Sequence, residues 1–145
     1  MTAAPRTDVA DRSAITRVLQ RYGTAIDALD FDTLAVLFTD DASVVYGGYP
    51  EMTGGAETSA WLHERSKPAA WHQHLVTVMD VQINGDEATT LTYFIAHAVS
   101  KADSETVRLH VGEYRDRLRR TTEGWRICER RQKTGWKEVR TRQPL

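Results

Sequence analysis

The chain has a single cysteine, Cys128, among 145 residues. No internal disulfide can form, and no thiolate cluster is available to hold a zinc ion. Cys128 therefore reads as a small core residue. Long apolar runs are also missing. Nothing approaches the ~18 consecutive residues that a membrane-spanning helix requires, so a soluble protein with no membrane partner is expected. Nor is there an excess of charge of one sign. The 19 Lys and Arg residues stand against 20 Asp and Glu, a formal net charge of −1. That leaves no global basic field to hold nucleic acid by its phosphates. The opening MTAAPRTDVADRS lacks the apolar core of a secretory signal, and Asp8 and Asp11 come too early for an acid-poor transit segment. A cytoplasmic location is the expectation. No internal repeat, linker or low-complexity tract divides the chain.

What is present is an ordinary globular composition, 41% hydrophobic and 27% charged. A chain of this length buries roughly two thirds of its unfolded surface without metals or cross-links. One core and one domain follow, with expected bounds at residues 8–135 and tails at 1–7 and 136–145. The charge is uneven along the chain. From Arg115 to Arg142 basic residues dominate, including Arg119, Arg120, Arg130, Arg131, Lys137 and Arg140. Such a run is either the solvated face of a strand pair or a surface for an anionic ligand or partner.

Between Asp11 and Leu29, the residues Ile15, Val18, Leu19, Tyr22, Ile26 and Leu29 recur at the three-to-four spacing of one helix face. An amphipathic helix is predicted there, capped by Asp11 or Ser13. A second short run, Thr33 to Phe38, follows the break at Leu29-Asp30-Phe31-Asp32. The β-branched and aromatic content of Ala42 to Tyr46 predicts a strand ended by Gly47-Gly48. A third helix, Thr53 to Ser66, faces inward through Trp61 and Leu62 and is stopped by Lys67-Pro68.

The second half is β in character. A strand from His74 to Ile83 turns at Asn84-Gly85-Asp86, since Asn-Gly supplies the positive φ that tight hairpins need. Its return runs from Glu87 to Val99, a further strand from Thr106 to about Arg120, and a last one from Gly124 to Lys133 after the turn at Thr122-Glu123-Gly124. Helices first and long strands after them make an α+β pattern. The expectation is a cone-shaped fold: three N-terminal helices packed on a strongly curved antiparallel sheet around one pocket. On the return strand, alternation puts Thr89, Leu91, Tyr93, Ile95, His97 and Val99 on one face and Ala88, Thr90, Thr92, Phe94, Ala96 and Ala98 on the other. Both faces are apolar enough to need cover, which predicts helices on one side and a second subunit, a homodimer, on the other.

Polar residues on these elements are candidates for chemistry. His72 and His74 share a strand face, a spacing that suits two imidazole ligands of zinc or iron, with Asp27 or Glu113 as a third. The alternative for His74 is a histidine bonded to backbone near a strand start. His97 lies among Leu91, Tyr93, Ile95 and Val99, where an unpaired imidazole is expensive, so it has a partner or meets a ligand. Tyr22 sits near the centre of the helical stripe, either in the core or with its hydroxyl toward a cavity. Asp27 lies off the stripe, which on spacing alone favours solvent. Tyr46 closes the early strand.

The segment RYGTAIDALDFDTLAVLFTDDASVVYGG resembles the N-terminal signature of the nuclear transport factor 2-like superfamily. The blocks WHQHLVTVMDVQINGDEATTLTYFIAHA and GEYRDRLRRTTEGWRICERR resemble its SnoaL-like branch, which includes scytalone dehydratase, bile-acid dehydratases and polyketide cyclases. The likeness covers about Asp8 to Arg131. It implies an inward-turned Asp27 orienting His74, hydroxyls at Tyr22 and Tyr46, and a second acid–base position at His97. The aspartate that steroid isomerases of this superfamily use at the end of the first strand is here Tyr46, which disfavours that chemistry. An arginine placed for the superfamily's epoxide hydrolase cluster is also missing, and Thr77-Val78 stands where an asparagine is frequent. The implied activity is a cofactor-independent dehydratase or cyclase, acting on a hydrophobic, carbonyl-bearing polycyclic or polyketide-like molecule without a metal. A non-catalytic binding or dimerisation subunit with the same pocket is the alternative.

Overall fold

The computed structural model describes residues 8–143. Three helices form where the apolar spacing predicts them: α1, Asp8–Asp27; α2, Phe31–Val36; and α3, Gly54–Ser66. The stripe of α1 is its buried face, through Ile15, Leu19, Tyr22 and Ile26. Asp30 caps α2 by accepting the Thr33 backbone N–H at 3.1 Å, satisfying a donor that the first turn leaves open. Gly55 lets α3 dock on α2, because a Cβ there would lie 1.8 Å from the Ala35 carbonyl oxygen.

Six strands complete the chain: β1, Phe38–Tyr46; β2, Met52–Thr53; β3, Ala69–Asn84; β4, Glu87–Ser100; β5, Thr106–Thr121; and β6, Gly124–Thr141. They form one sheet in the order β2-β1-β6-β5-β4-β3. The two predicted hairpins close β3 to β4, where Asn84 pairs with Glu87, and β5 to β6, where Thr121 pairs with Gly124. The fold is α+β with three helices on an open sheet. It is not antiparallel throughout. β1 runs parallel to β6, with Val44 opposite Arg130, because the chain passes through α3 and three long strands before β6 returns beside it. The expected tail also needs correction. Past Gly135 the chain remains strand to Thr141, with Trp136 opposite Val111 and Lys137 opposite His110. The N-terminal tail expected at residues 1–7 lies outside the described residues, as do 144–145.

Register organises the sheet's inner face into rows. Val81, Thr90, Asp116 and Arg130 form one, followed by Val78, Thr92, Tyr114 and Gln132. Then comes Val76 with Phe94, Gly112 and Thr134, and after it His74 with Ala96, His110 and Lys137. His72, Ala98, Arg108 and Val139 make the last row. The apolar side chains of α1 fill the end of the cone beside Leu118, Trp125 and Ile127. Toward the histidine rows that packing runs out, and a cavity of about 520 Å³ opens. No helix among the described residues is long and apolar enough to cross a membrane.

Candidate active site

Asp27 is the last residue of α1, a position where the helix dipole disfavours negative charge. Gly23 lies one turn earlier on the same face. A Cβ on Gly23 would sit 3.4 Å from Val76 Cγ2 and 3.6 Å from the His74 carbonyl oxygen. α1 packs on β3 here with room for a methyl but not for a large side chain, and the next turn carries Asp27 to the two histidines.

His74 meets Asp27 twice. Its backbone N–H donates to Oδ2 at 2.8 Å, and its ring Nδ1 lies 2.7 Å from Oδ1. Nδ1 of His72 approaches that same Oδ1 at 3.1 Å. An ionised carboxylate only accepts, so both rings donate to Asp27 through Nδ1, and Nε2 of His74 is the nitrogen left for a ligand. Burial alone would raise the Asp27 carboxyl, but the hydrogen bonds from His74 and His72 outweigh it and hold the group below the usual carboxylate range. The Asp27 side chain is 25% exposed and that of His74 15%, so the pair is sheltered, with His74 lining the cavity. The reading of Asp27 as solvent-facing, drawn from helical spacing alone, does not hold.

The three residues also satisfy a first test for a cation. One donor atom from each of Asp27, His72 and His74 lies within 4.8 Å of the others. Glu113, the other carboxylate considered, is in register with Tyr93 and Lys133 and engages Arg115 at 2.8 Å, away from the histidines.

Tyr22 and Tyr46 converge from α1 and β1, their hydroxyls 2.8 Å apart. One hydroxyl donates to the other, in the cavity that both residues line. Behind them lies a residue that sequence reading passed over. Arg130 is fully buried, bonded through two nitrogens to Asp116 at 2.8 and 2.7 Å. Its guanidinium stands 4.2 Å from the Tyr22 ring centre and 4.1 Å from that of Tyr114. Burial pushes the phenols of Tyr22, Tyr46 and Tyr114 above the ordinary tyrosine range, and the Arg130 charge opposes that rise.

His97 stands apart from this group. It pairs with Gln73 and Leu109 and alternates with Ala96 and Ala98, the residues facing inward beside His74 and His72. Its strand position borders the cavity, but alternation sends the side chain to the opposite face. Its Nδ1 is buried with no hydrogen-bond partner among the described residues. Counting along the chain from His74 ignores this alternation. The imidazole that does share the inner row is His110, with Nε2 2.9 Å from Thr134 Oγ1 and the ring edge-on to Phe94. Burial first, then the charges of Lys137, His74 and Arg65, lower it to about 4. The inward parity of Tyr114, Asp116 and Leu118 on the same strand points to His110 from sequence.

The comparisons agree with this architecture. An uncharacterized protein of Mycobacterium tuberculosis is 29% identical over 130 residues, spanning 85% of this chain and 84% of that one. The Kfla4162 protein of Kribbella flavida superposes with a TM-score of 0.83 at 26% identity, covering 90% of this chain and 94% of its own. A candidate scytalone dehydratase from Novosphingobium aromaticivorans gives 0.84 at 20% identity over 98% and 97% of the two chains. A hexachlorocyclohexane dehydrochlorinase, LinA type 2, gives 0.82 at 15% identity over 92% and 90%. With the SnoaL-like domain profile matching residues 7–131, the chain belongs to the SnoaL-like domain family.

Proposed function

We propose that this protein is a cofactor-independent dehydratase or cyclase that removes a proton beside a carbonyl in a hydrophobic polycyclic or polyketide-like molecule. The observation that carries the reading is the 2.7 Å contact between Asp27 Oδ1 and His74 Nδ1 at the wall of a cavity. Its volume, about 520 Å³, is in the usual range for small-molecule sites. Nε2 of His74 takes the proton, and Asp27 stabilises the imidazolium that results. The negative charge passes to the carbonyl oxygen as an enolate, to which a hydroxyl of the Tyr22–Tyr46 pair donates. In the dehydration, the enolate re-forms its carbonyl, the C–O bond of a β-hydroxyl breaks, and the proton held by His74 leaves with that hydroxyl as water. His110, neutral at pH 7, takes the role first assigned to His97, as a hydrogen-bond donor to the departing oxygen. General base catalysis of this kind typically contributes about 10² to 10⁴ in rate.

The proposal extends to assembly and location. Trp71, Leu75, Tyr93, Ile95 and Trp136 are between 40% and 54% exposed on the sheet's outer face, and a second copy of the chain is the cover we assign to them. Cys128, buried and without a disulfide, fits a reducing cytoplasm.

Fused-ring β-hydroxy ketones incubated in deuterated water test the chemistry, with mass spectrometry reading both deuterium at the α-carbon and loss of water. His74→Ala and Asp27→Asn are each expected to slow both by about 10²-fold or more. Rates within a few-fold of wild type in both variants would remove the dyad. Binding by the wild type with no exchange at all would favour the non-catalytic alternative.

A further inference from the structure

We propose an anion subsite at the mouth of the cavity, formed by Arg65, Arg108 and Lys137, that receives a carboxylate or phosphate carried by the substrate. The inference rests on the reading of the cavity as the reaction site and narrows the substrate to a carbonyl compound with a fixed negative charge.

The basic run of the second half is largely neutralised within the fold. Arg115 pairs with Glu113, Arg119 with Asp41, Arg120 with Asp11 and Asp86, Arg126 with Glu123, Arg130 with Asp116, and Arg140 with Glu138. Arg65, Arg108 and Lys137 are different. All three line the cavity, and none has an ion-pair partner among the described residues. The one acid in this lining among the described residues, Glu138, is already engaged by Arg140. The mouth is therefore net positive, inside a chain whose overall formal charge is −1.

These cations are held in place rather than scattered. The Arg65 guanidinium lies 4.5 Å from the Tyr49 ring centre and 5.4 Å from that of Trp61, a geometry that fixes a cation while leaving its donors open. Lys137 ends the row that begins at His74, and Arg108 shares the next row with His72. Three strand spacings of ~4.8 Å separate the backbones of His74 and Lys137. A molecule with its reacting carbon at His74 and its charge at Lys137 spans that gap with a fused-ring skeleton. The effect of Lys137 and Arg65 on His110 accords with both charges being felt inside. A wholly neutral substrate gains nothing from such a mouth, whereas a carboxylate or phosphate gains charge-assisted hydrogen bonds.

The test is a matched set of probes: 2-naphthoate, its neutral methyl ester, and 2-naphthyl phosphate, titrated against the full chain by quenching of tryptophan fluorescence. Wild type should bind at least one of the two anions about tenfold more tightly than the ester, with the preference falling as salt rises. Whichever anion binds better identifies the group the substrate carries. Arg65→Gln, Arg108→Gln and Lys137→Gln should each weaken the preferred anion about 3- to 10-fold and leave the ester within about twofold, and the triple variant should lose the preference. Lys137→Arg should restore it. An ester that binds as well as both anions, equal losses for ester and anion, or no binding of either anion below millimolar concentration would each overturn the subsite. His74→Ala should keep the preference, so a mouth that selects anions in a protein without turnover would leave this inference standing and remove the dyad.

Discussion

His74 and His110 stand in one cross-strand row with Ala96 between them. A larger residue on β4 would fill the space over that row. Alanine instead leaves a slot, walled by one imidazole oriented by Asp27 and another bonded to Thr134. The proposed reaction is set in this row, between two imidazoles, and not at the tyrosines deeper in the cone.

The two sides of the slot should titrate in separate windows. His110 is lowered from 6.5 to about 4 by burial and neighbouring positive charge. Between those values the unfolded chain binds a proton that the folded chain refuses, so stability falls as pH drops from about 6.5 to about 4. Asp27 is held below its ordinary 3.8. Its contribution is whole above that value and is lost as pH falls through the lower, folded one. His110→Gln should remove the first decline and leave the second, as read from urea midpoints between about pH 3 and 8.

Gly23 offers a graded test of how α1 positions Asp27. Gly23→Ala adds a Cβ at ordinary contact distance, 3.4 Å from Val76, and removes a helix-weakening glycine. Stability unchanged or raised by about 0.5–1 kcal/mol is expected, with activity retained. Gly23→Leu should push the helix off β3, costing about 1–3 kcal/mol and lowering turnover more than ligand binding. Thermal denaturation and steady-state kinetics on the two variants check this.

Arg130 and Asp116 form a buried pair among aromatic rings. Asp116→Asn leaves a guanidinium without its counter-charge, and a loss of about 3–5 kcal/mol is expected. Asp116→Asn combined with Arg130→Met should lose less than Asp116→Asn alone, because the stranded charge has gone. Denaturant unfolding of the single and double variants measures the difference.

Ile95→Asp puts a charge into the exposed apolar face of the sheet, away from the cavity side. If a second copy covers that face, sedimentation should show a dimer for wild type and a monomer for the variant. A wild-type monomer at micromolar concentration would end the assignment.

Much of the fold is legible in the sequence because it is local. The stripe on α1 and the Asn84-Gly85-Asp86 turn each need only neighbouring residues, and both appear where periodicity predicts them. The parallel pairing of β1 with β6 joins residues such as Val44 and Arg130, and no local pattern encodes it. Asp27 is misjudged by hydrophobic spacing because Gly23, which has no side chain to count, marks the contact face. Chain distance from His74 brings His97 to the cavity border but disregards that it alternates with the inward Ala96 and Ala98. The strand beyond Gly135 escapes notice because Lys137, Glu138 and Arg140 look like a solvated end. They lie at the open rim, where a strand keeps its pairing without acquiring an apolar pattern.

That rim has a consequence for how such proteins diversify. The stretch matching the SnoaL-like domain ends at residue 131, whereas β6 continues to Thr141 and carries Lys137 past the shared block. The proposed proton-transfer residues Asp27, His74 and His110 all lie within that block, and of the three proposed entrance cations Lys137 alone lies beyond it. Grafting the terminal segment of a relative onto this chain would exchange that one entrance cation while leaving Asp27, His74 and His110 in place.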